Sequence, residues 1–488
     1  MMEDLKLPIA NDHLTSRPKT SRLLLPLLLF LLLVLFNSSF TPVQFAHDLV
    51  DSLKPLSKDP EQRALQLLRK QPIIGQSFAS DSGTWFKTDE VGAHSDGHID
   101  LPILARYIYA NQIDDFDLNQ RIKGQVDIPR LRQGRVGGFF WSVFVPCPED
   151  EGYDENRNFT KPSFRVRDTL EQIDVAKLLI DRYSDTFELV SSSRDWRDAI
   201  KRGKIGGMLG VEGGHQIGSS LSILRIYRSL GVRYLTLTHT CNNALGDTCA
   251  GSELSTRWNG LSSFGRTAVK ELNRLGMMVD ISHVSPKTAS DALSESRAPV
   301  IFSHSNARGV HSVARNIPDS ILRRIGRIDS QHEFNLSRDG EKGLGWGADN
   351  GEVNLPVPGG DAWIGLNFAP EFISEFPEGR GSRANVSLVA DHADYIGKLA
   401  GRRHVGIGSD FDGILGTPEG LEDVSKYPSL VVELIKRGWN DEEILGLTGG
   451  NLLRVLERVE KTARRLGHLV PSTKIFEGRT DLKKHDQF

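Results

Sequence analysis

The chain has 488 residues, of which 39% are hydrophobic and 25% are charged, and its formal net charge at pH 7 is −3. This length accommodates two or three average domains, or one large α/β barrel with appendages. The small net charge, without a long basic stretch, excludes the electrostatic pattern of a nucleic-acid-binding protein, so no nucleic-acid partner is expected.

The first predicted element is an unbroken apolar run from Leu23 to Phe36, near the amino terminus. Basic residues precede this run, and no Lys or Arg follows it before Lys54. By the positive-inside tendency, residues 1–22 stay in the cytosol and the remainder is translocated. We therefore predict a transmembrane signal anchor over residues 23–40, with a cleaved signal peptide as the alternative. The predicted location is a single-pass type II membrane protein whose main domain is lumenal or extracellular.

Other features of the sequence define the remaining boundaries. Residues 41–65 are predicted to form a stalk, residues 66–470 the folded domain, and residues 471–488 a polar tail. Within the folded domain, residues 331–360 are rich in glycine and charge and lack periodicity, which predicts a surface insertion. Four Asn-x-Ser/Thr sequons agree with the secretory pathway and are candidate glycosylation sites: Asn37, Asn158, Asn335 and Asn385.

Apolar runs of strand length alternate with helix-like stretches along the folded domain. The predicted strands are a run ending in Asp96–Asp100, then Val136–Val145, Ile205–Val211, Tyr234–Thr238, Met277–Ile281, Pro299–Phe302, Trp363–Phe368 and Val405–Gly408. The predicted helices include Arg167–Tyr183, Ser219–Leu230, Ser262–Leu275, Asp319–Ile328 and Leu388–Leu399. This alternation predicts an α/β fold, a (β/α)8 TIM barrel. An open doubly wound sheet is the competing interpretation, but it carries a glycine-rich phosphate turn after an early strand, and the sequence has none.

Residues 278–308 carry the first indication of function. Two short apolar runs each end in Ser-His, at His283 and at His304, and between them Ser285 and Pro286 provide a helix start. A crossover of this length joins parallel strands, so both histidines are expected at the carboxyl ends of neighbouring strands. A single histidine is more often structural, but two in this position indicate half of a metal site.

Two other predicted strands bring further metal-binding groups to the same end of the barrel. His98 and Asp100 are two positions apart, so both side chains are expected to point the same way. Glu212 ends an apolar strand, where a buried carboxylate is costly unless a cation or a donor neutralises it. With His283 and His304, this set suits two Zn²⁺ ions that share Glu212 as a bridge. Such a pair lowers the pKa of a shared water toward ~7, which predicts a bridging hydroxide as the nucleophile of a hydrolase.

Nine blocks of sequence, in this order, carry a resemblance to a known family: DGHIDLP, GGFFWSV, GVEGGHQ, YLTLTHTCN, DISHVS, FSHSNAR, ARNIPD, GSDFDG and NLLRV. They resemble the membrane (renal-type) dipeptidases, zinc peptidases with an amidohydrolase-like barrel, over roughly residues 65–465. The resemblance implies two zinc ions per chain. It places His98 and Asp100 on one ion, His283 and His304 on the other, and Glu212 between them.

The resemblance also implies roles for three further residues. His239 would stabilise the oxyanion of the tetrahedral intermediate, Arg315 would bind the free carboxylate of the substrate, and Asp410 would orient the attacking water and relay its proton. Each role suits the chemistry of the side chain concerned. Two alternatives stay open, because Arg315 could instead be a surface residue and Asp412 could face the site in place of Asp410.

The cysteines are interpreted through the same resemblance, since the family pairs cysteines above this end of the barrel. A disulfide between Cys147 and Cys241 is the hypothesis, and a Cys241–Cys249 bond is the rival. Because the chain has three cysteines, one thiol is left over.

The sequence as a whole therefore predicts a zinc dipeptidase that hydrolyses dipeptides with a free C-terminal carboxylate. The alternatives are another amide or lactam hydrolase on the same binuclear centre, and an inactive membrane-anchored barrel that serves as a binding scaffold. A serine hydrolase is disfavoured because no Gly-x-Ser-x-Gly motif occurs. The membrane is an expected partner through the amino-terminal segment, and a homodimer is left open.

Overall fold

The computed structural model describes residues 55–70, 94–148, 159–160, 164–250, 256–326, 361–375, 384–477, 479 and 482. The predicted anchor at 23–40, the insertion at 331–360 and the sequons at Asn37, Asn158 and Asn335 lie outside the described residues.

The predicted membrane location requires correction. In the described part of the chain, no helix is both long enough and apolar enough to cross a membrane. The prediction combined the apolar run from Leu23 to Phe36 with the basic residues that precede it, but a bilayer core ~30 Å thick needs about 20 apolar residues, more than this run supplies. The location as a single-pass type II membrane protein is therefore overturned.

The described strands form one parallel sheet. They are β1 His94–Ile99, β2 Val136–Val143, β3 Phe187–Leu189, β4 Ile205–Glu212, β5 Val232–Thr236, β6 Met278–Asp280, β7 Val300–Phe302, β8 Ala362–Leu366 and β9 Val405–Ile407. Eight of them close a barrel in the order β1-β2-β4-β5-β6-β7-β8-β9, and β9 pairs back onto β1. The short strand β3 pairs with β4 outside this ring. The eight barrel strands match the eight predicted apolar runs, which confirms the (β/α)8 TIM barrel.

Helices surround the barrel. They are α1 Pro60–Lys70, α2 Leu101–Tyr109, α3 Ile128–Gln133, α4 Arg165–Arg182, α5 Ser193–Lys201, α6 Leu221–Ser229, α7 Ser263–Leu275, α8 Pro286–Glu295, α9 Pro370–Ile373, α10 Val386–Leu399, α11 Tyr427–Lys436, α12 Asp441–Leu445 and α13 Asn451–Leu466. A helix at 319–326 lies between α8 and α9. The predicted helix start at Ser285 is present, because its side chain accepts a hydrogen bond from the N–H of Thr288.

Helix α1 crosses the predicted boundary between the stalk and the folded domain. Ala64, Leu67 and Leu68 on this helix are buried. The Nε of Arg63 donates to a carboxylate oxygen of Asp441, at the start of α12, over 2.9 Å. The compact unit that contains the barrel spans Ser57–Phe488.

Asn385 is the one sequon within the described residues. It is the N-cap of α10, and its side-chain oxygen accepts from the N–H of Leu388 over 3.0 Å. Glycosylation at this residue stays a prediction.

Large side chains fill the core of the barrel. One buried cluster includes Phe140, Met208, Tyr234, Met278 and Trp363. Gly210 on β4 permits this packing, because a Cβ at that position would lie 2.0 Å from the ring of Tyr234. The absent side chain thus leaves room for an aromatic ring that extends toward the carboxyl ends of the strands.

Candidate active site

Four imidazoles and three carboxylates meet where the barrel strands end. Groups of their ligand atoms lie within 4.8 Å of one another, and the set comprises His98, His239, His283, His304, Asp100, Glu212 and Asp410. All five predicted metal ligands belong to this cluster, together with two of the three predicted helper residues. Functional side chains of TIM barrels collect at this end of the strands.

Glu212, the last residue of β4, has carboxylate oxygens that face two different sets of imidazoles. Its Oε1 lies 3.0 Å from Nε2 of His283 and 3.2 Å from Nε2 of His304. Its Oε2 lies 3.6 Å from Nε2 of His98. A carboxylate placed in this way can bridge two cations.

His98 and Asp100 approach each other, but for a different reason from the predicted one. Strand β1 ends at Ile99, and Asp100 is the N-cap of α2 with φ −95° and ψ 29°, so strand alternation does not relate the two side chains. The turn after the strand brings Oδ2 of Asp100 to 3.3 Å from Nε2 of His98. Nε2 of His98 and Oδ1 of Asp100 are buried and have no hydrogen-bond partner. Both atoms are therefore available to a cation.

The other two predicted ligands follow β6 and β7, and their Nε2 atoms lie 2.9 Å apart. His283 has φ +62°, which is uncommon for a residue other than glycine. Its carbonyl oxygen accepts from Thr238 Oγ1 over 3.1 Å, from Thr248 Oγ1 over 3.0 Å and from the N–H of Cys249 over 2.8 Å. These three donors hold His283 in the conformation that directs its imidazole toward His304.

Burial shapes the protonation of the cluster. It lowers the pKa of His283 and of His304 well below the usual value, which favours the neutral imidazole that binds metals. Burial also raises the pKa of Glu212 and of Asp410, because an ionised carboxylate is poorly solvated there. A divalent cation would offset that penalty, and imidazole and carboxylate are the ligands of catalytic zinc sites. The residues present therefore fit zinc.

The structure distinguishes Asp410 from Asp412, which the sequence left open. Oδ1 of Asp410 lies 3.9 Å from Nε2 of His98, and Oδ2 accepts from Asn367 Nδ2 over 2.9 Å. Oδ1 of Asp412 instead accepts from the backbone N–H of Gln125 over 2.6 Å. Both aspartates have φ +66°, so the alternation of an extended strand does not apply to them. It is Asp410 that faces the cluster.

Arg315 lies beside the cluster and is only partly exposed. NH1 donates to Ser305 Oγ and NH2 donates to the carbonyl oxygen of His304, each over 2.8 Å. The guanidinium lies 5.6 Å from the ring centroid of Phe372, and Nε is buried without a hydrogen-bond partner. These contacts orient the guanidinium and do not match the alternative of a free surface arginine.

His239 is the member of the cluster that follows β5. Its Nε2 lies 3.8 Å from Oε1 of Glu212, and its ring lies 4.3 Å from that of His283 and 4.5 Å from that of Phe144. The hydroxyl of Thr240 lies 3.1 Å from Nδ1. Burial lowers the pKa of His239 well below its usual value. A neutral imidazole whose Nδ1 accepts from this hydroxyl carries its hydrogen on Nε2, where it can serve as a donor.

Cys147 and Cys241 form a disulfide with an S–S distance of 2.08 Å, and Cys249 is a buried free thiol. The structure thus has the hypothesised pairing and not the rival Cys241–Cys249 bond. The disulfide joins the chain after β2 to the chain after β5, next to His239.

Removing this disulfide should destabilise the fold. The bonded cysteines are 94 positions apart, so we expect the double variant Cys147→Ala/Cys241→Ala to lower the free energy of unfolding by about 2–5 kcal/mol. Urea denaturation without reductant measures this loss. The control is Cys249→Ala, which removes a thiol but no covalent bond. Equal losses in the two proteins would contradict the role of the disulfide.

Two residues that contact the Nδ1 atoms of predicted ligands were not predicted from the sequence. The Tyr234 hydroxyl lies 2.9 Å from Nδ1 of His98, and Ser303 Oγ lies 2.7 Å from Nδ1 of His304. Both belong to the conspicuous blocks YLTLTHTCN and FSHSNAR. Their signal in the sequence is a hydroxyl-bearing residue on or directly after a predicted strand, since Tyr234 lies on β5 and Ser303 follows β7.

A closed barrel with this cluster at its carboxyl end defines a metal-dependent hydrolase. The sequence matches the family described as Membrane dipeptidase (Peptidase family M19) over residues 92–339 and 354–468, and the chain belongs to that family. The resemblance identified from the nine blocks is thereby confirmed. The chain is accordingly a metallodipeptidase of family M19.

Individual relatives agree with this assignment. A protein of Schizosaccharomyces pombe named as an uncharacterized dipeptidase is 41% identical over 398 residues, which cover 80% of this chain and 87% of that protein. A metallopeptidase from Rhodobacter sphaeroides, solved with a phosphinate mimic of the dipeptide L-Ala-D-Ala, is 27% identical with a TM-score of 0.59, and the match covers 75% of this chain and 99% of that chain. The probable dipeptidase PvdM from Pseudomonas aeruginosa, 22% identical with a TM-score of 0.59 and matched over 83% of this chain and 99% of that chain, has the same fold.

Proposed function

We propose that this protein hydrolyses the peptide bond of dipeptides with a free C-terminal carboxylate at a centre of two zinc ions. His98 and Asp100 would hold one ion, His283 and His304 would hold the other, and Glu212 would bind both. The position of Glu212 carries the proposal, because its two oxygens face the two sets of imidazoles at 3.0–3.6 Å. When bound, the zinc ions supply Lewis acidity and lower the pKa of a water molecule.

Asp410 is the proton carrier in this proposal. Its Oδ2 is held by Asn367, while its Oδ1 faces the cluster. Asp410 therefore accepts a proton from the attacking water and delivers it to the departing amine. His239, whose Nδ1 lies 3.1 Å from the Thr240 hydroxyl, donates from Nε2 to the oxygen on which negative charge develops.

Arg315 selects substrates by their carboxylate. A guanidinium has five N–H donors, and the hydrogen bonds to Ser305 and His304 use two of them. NH1 and NH2 each keep one further N–H, and these two donors can bind a carboxylate. The Rhodobacter sphaeroides relative was solved with a mimic of L-Ala-D-Ala, which supports substrates of two residues with a D-residue in the second position, and we propose that dipeptides with an L-residue there are cleaved as well.

Metal analysis combined with a dipeptide panel tests this function. The purified protein should contain two zinc ions per chain and cleave L-Ala-L-Ala and L-Ala-D-Ala. A chelator should abolish cleavage, and added zinc should restore it. Full activity with a single zinc ion would contradict the two-ion centre, and two bound zinc ions without cleavage of any dipeptide would contradict the dipeptidase assignment.

The role of Arg315 gives a separate prediction. Arg315→Ala should raise KM for dipeptides about 10- to 100-fold with a smaller change in kcat, because a hydrogen bond to a charged group contributes about 1.5–3 kcal/mol. Arg315→Lys, which keeps the charge but loses the fork, should fall between Ala and wild type. C-terminally amidated dipeptides should be almost insensitive to the change. An equal response from amidated and free substrates would exclude carboxylate binding.

A further inference from the structure

A buried carboxylate, that of Asp280, is linked through the Ser303 hydroxyl to His304, one of the proposed zinc ligands. Asp280, the last residue of β6, is fully buried and accepts four hydrogen bonds. Its Oδ1 accepts from the backbone N–H groups of Ser282 over 3.0 Å and Ser303 over 2.9 Å. Its Oδ2 accepts from the hydroxyls of Thr236 over 2.5 Å and Ser303 over 2.7 Å. Surrounded by these donors, the carboxylate is an acceptor at both oxygens.

This arrangement determines where the hydrogen of His304 resides. A hydroxyl has one proton, and Ser303 gives it to Asp280. The same Ser303 oxygen lies 2.7 Å from Nδ1 of His304 and can only accept there. Nδ1 therefore carries the hydrogen of the neutral imidazole, and Nε2 presents its lone pair to Oε1 of Glu212, 3.2 Å away. A lone pair on Nε2 is what this imidazole needs in order to bind a zinc ion held next to Glu212.

We propose that Asp280, acting through Ser303, is a positioning residue that selects the zinc-binding tautomer of His304. The inference rests on the proposed zinc centre and deepens it. Metal-binding histidines commonly donate their second ring N–H to a carboxylate, a carbonyl or a water. Here a serine hydroxyl stands between the imidazole and the carboxylate. His98 differs, because its Nδ1 faces the phenol of Tyr234.

The two hydrogen bonds that link His304 to Ser303 and Ser303 to Asp280 form a relay. Asp280→Asn should reverse the direction of both hydrogen bonds. The amide oxygen replaces Oδ1, since the backbone N–H groups of Ser282 and Ser303 need an acceptor, and the NH2 group then faces the hydroxyls of Thr236 and Ser303. Ser303 now accepts from the amide and turns its own proton toward Nδ1 of His304. The hydrogen of the imidazole moves to Nε2, the atom that should bind zinc. We expect the affinity for one of the two zinc ions to fall about 10- to 100-fold.

Ser303→Ala provides the decisive comparison. This change removes the acceptor of the Nδ1 hydrogen without installing a competing donor, so its loss of zinc affinity should be smaller, about tenfold. In the double variant Asp280→Asn/Ser303→Ala, no hydroxyl reaches Nδ1, and zinc should bind more tightly than in Asp280→Asn alone. A purely structural role predicts the opposite, because a second lost polar partner adds a second defect.

Zinc dissociation constants from chelator competition on the full chain measure these effects, with circular dichroism to verify folding. Tyr234→Phe is the matched control, since it alters the partner of His98, and combining it with Asp280→Asn should restore nothing. If the wild type binds two zinc ions and the double variant binds zinc no better than Asp280→Asn, the relay is overturned while the centre stands. If the wild type binds fewer than two, the centre and the relay are both overturned. Should Asp280→Asn fail to fold, an unchanged affinity in Ser303→Ala overturns the relay, and a loss of about tenfold supports it.

Discussion

Glu212→Gln is expected to reduce dipeptide hydrolysis by about three orders of magnitude or more and to lower zinc occupancy below two ions per chain. The substitution preserves size but replaces one carboxylate oxygen with an NH2 group, which cannot ligate a metal. The single remaining oxygen can then ligate a metal on only one side of the cluster, either next to His98 or next to the pair His283 and His304. Loss of metal-assisted catalysis removes several kcal/mol of transition-state stabilisation, which corresponds to this change in rate.

The matched control for this variant is Glu271→Gln. Glu271 is also a buried glutamate, but it pairs with Arg225 and Arg274 away from the cluster. Its replacement should lower stability and leave two zinc ions bound. Elemental analysis after gel filtration and steady-state kinetics measure both effects. A Glu212→Gln protein that keeps two zinc ions and wild-type kcat would exclude the bridging role.

Asp410→Asn should lower kcat by about 10²- to 10⁴-fold while zinc occupancy stays at two, because it removes the proton carrier but none of the proposed ligands. The amide can still pair with Asn367, so the local fold should persist. KM should change little, since the carboxylate of the substrate is bound elsewhere. Steady-state kinetics with L-Ala-L-Ala and metal analysis of the same sample measure the two effects.

Asp412→Asn is the matched control, because it has the same chemistry and the same backbone conformation two residues away. Its carboxylate accepts from Gln125 and does not face the cluster. We expect a loss of kcat of less than tenfold. A comparable or larger loss in the Asp412 variant would reverse the assignment of the proton carrier.

The barrel could be predicted from the sequence because its strands are buried on both faces and appear as continuous apolar runs. Strand β3 was missed since only the first of its three residues, Phe187–Leu189, is buried, so it does not form a continuous apolar run, and it pairs with β4 outside the barrel ring. The residues of the cluster that we propose as metal ligands could be identified in the sequence because each one ends or follows such a run. The choice between Asp410 and Asp412 could not be made, because both have a positive φ that side-chain periodicity does not reveal.

The relay behind His304 could not be predicted for a different reason. Asp280 ends β6 and Ser303 directly follows β7, and their contact depends on the register between these two strands, where Val279 pairs with Val300. No spacing within the sequence encodes that register. The apolar run near the amino terminus shows the converse limit, since the run and the charges around it predicted a membrane location that the described helices do not support.

The close approach between Gly210 and Tyr234 affects how natural variants of this protein are classified. Gly210 is not among the proposed zinc-binding or substrate-binding residues, so its distance from them would suggest that one added methyl group is harmless. That methyl would overlap the phenol ring, with 2.0 Å between Cβ and a ring carbon, so the ring would have to shift relative to Nδ1 of His98. A substitution at this glycine is therefore expected to disturb the proposed zinc centre although it changes none of its residues.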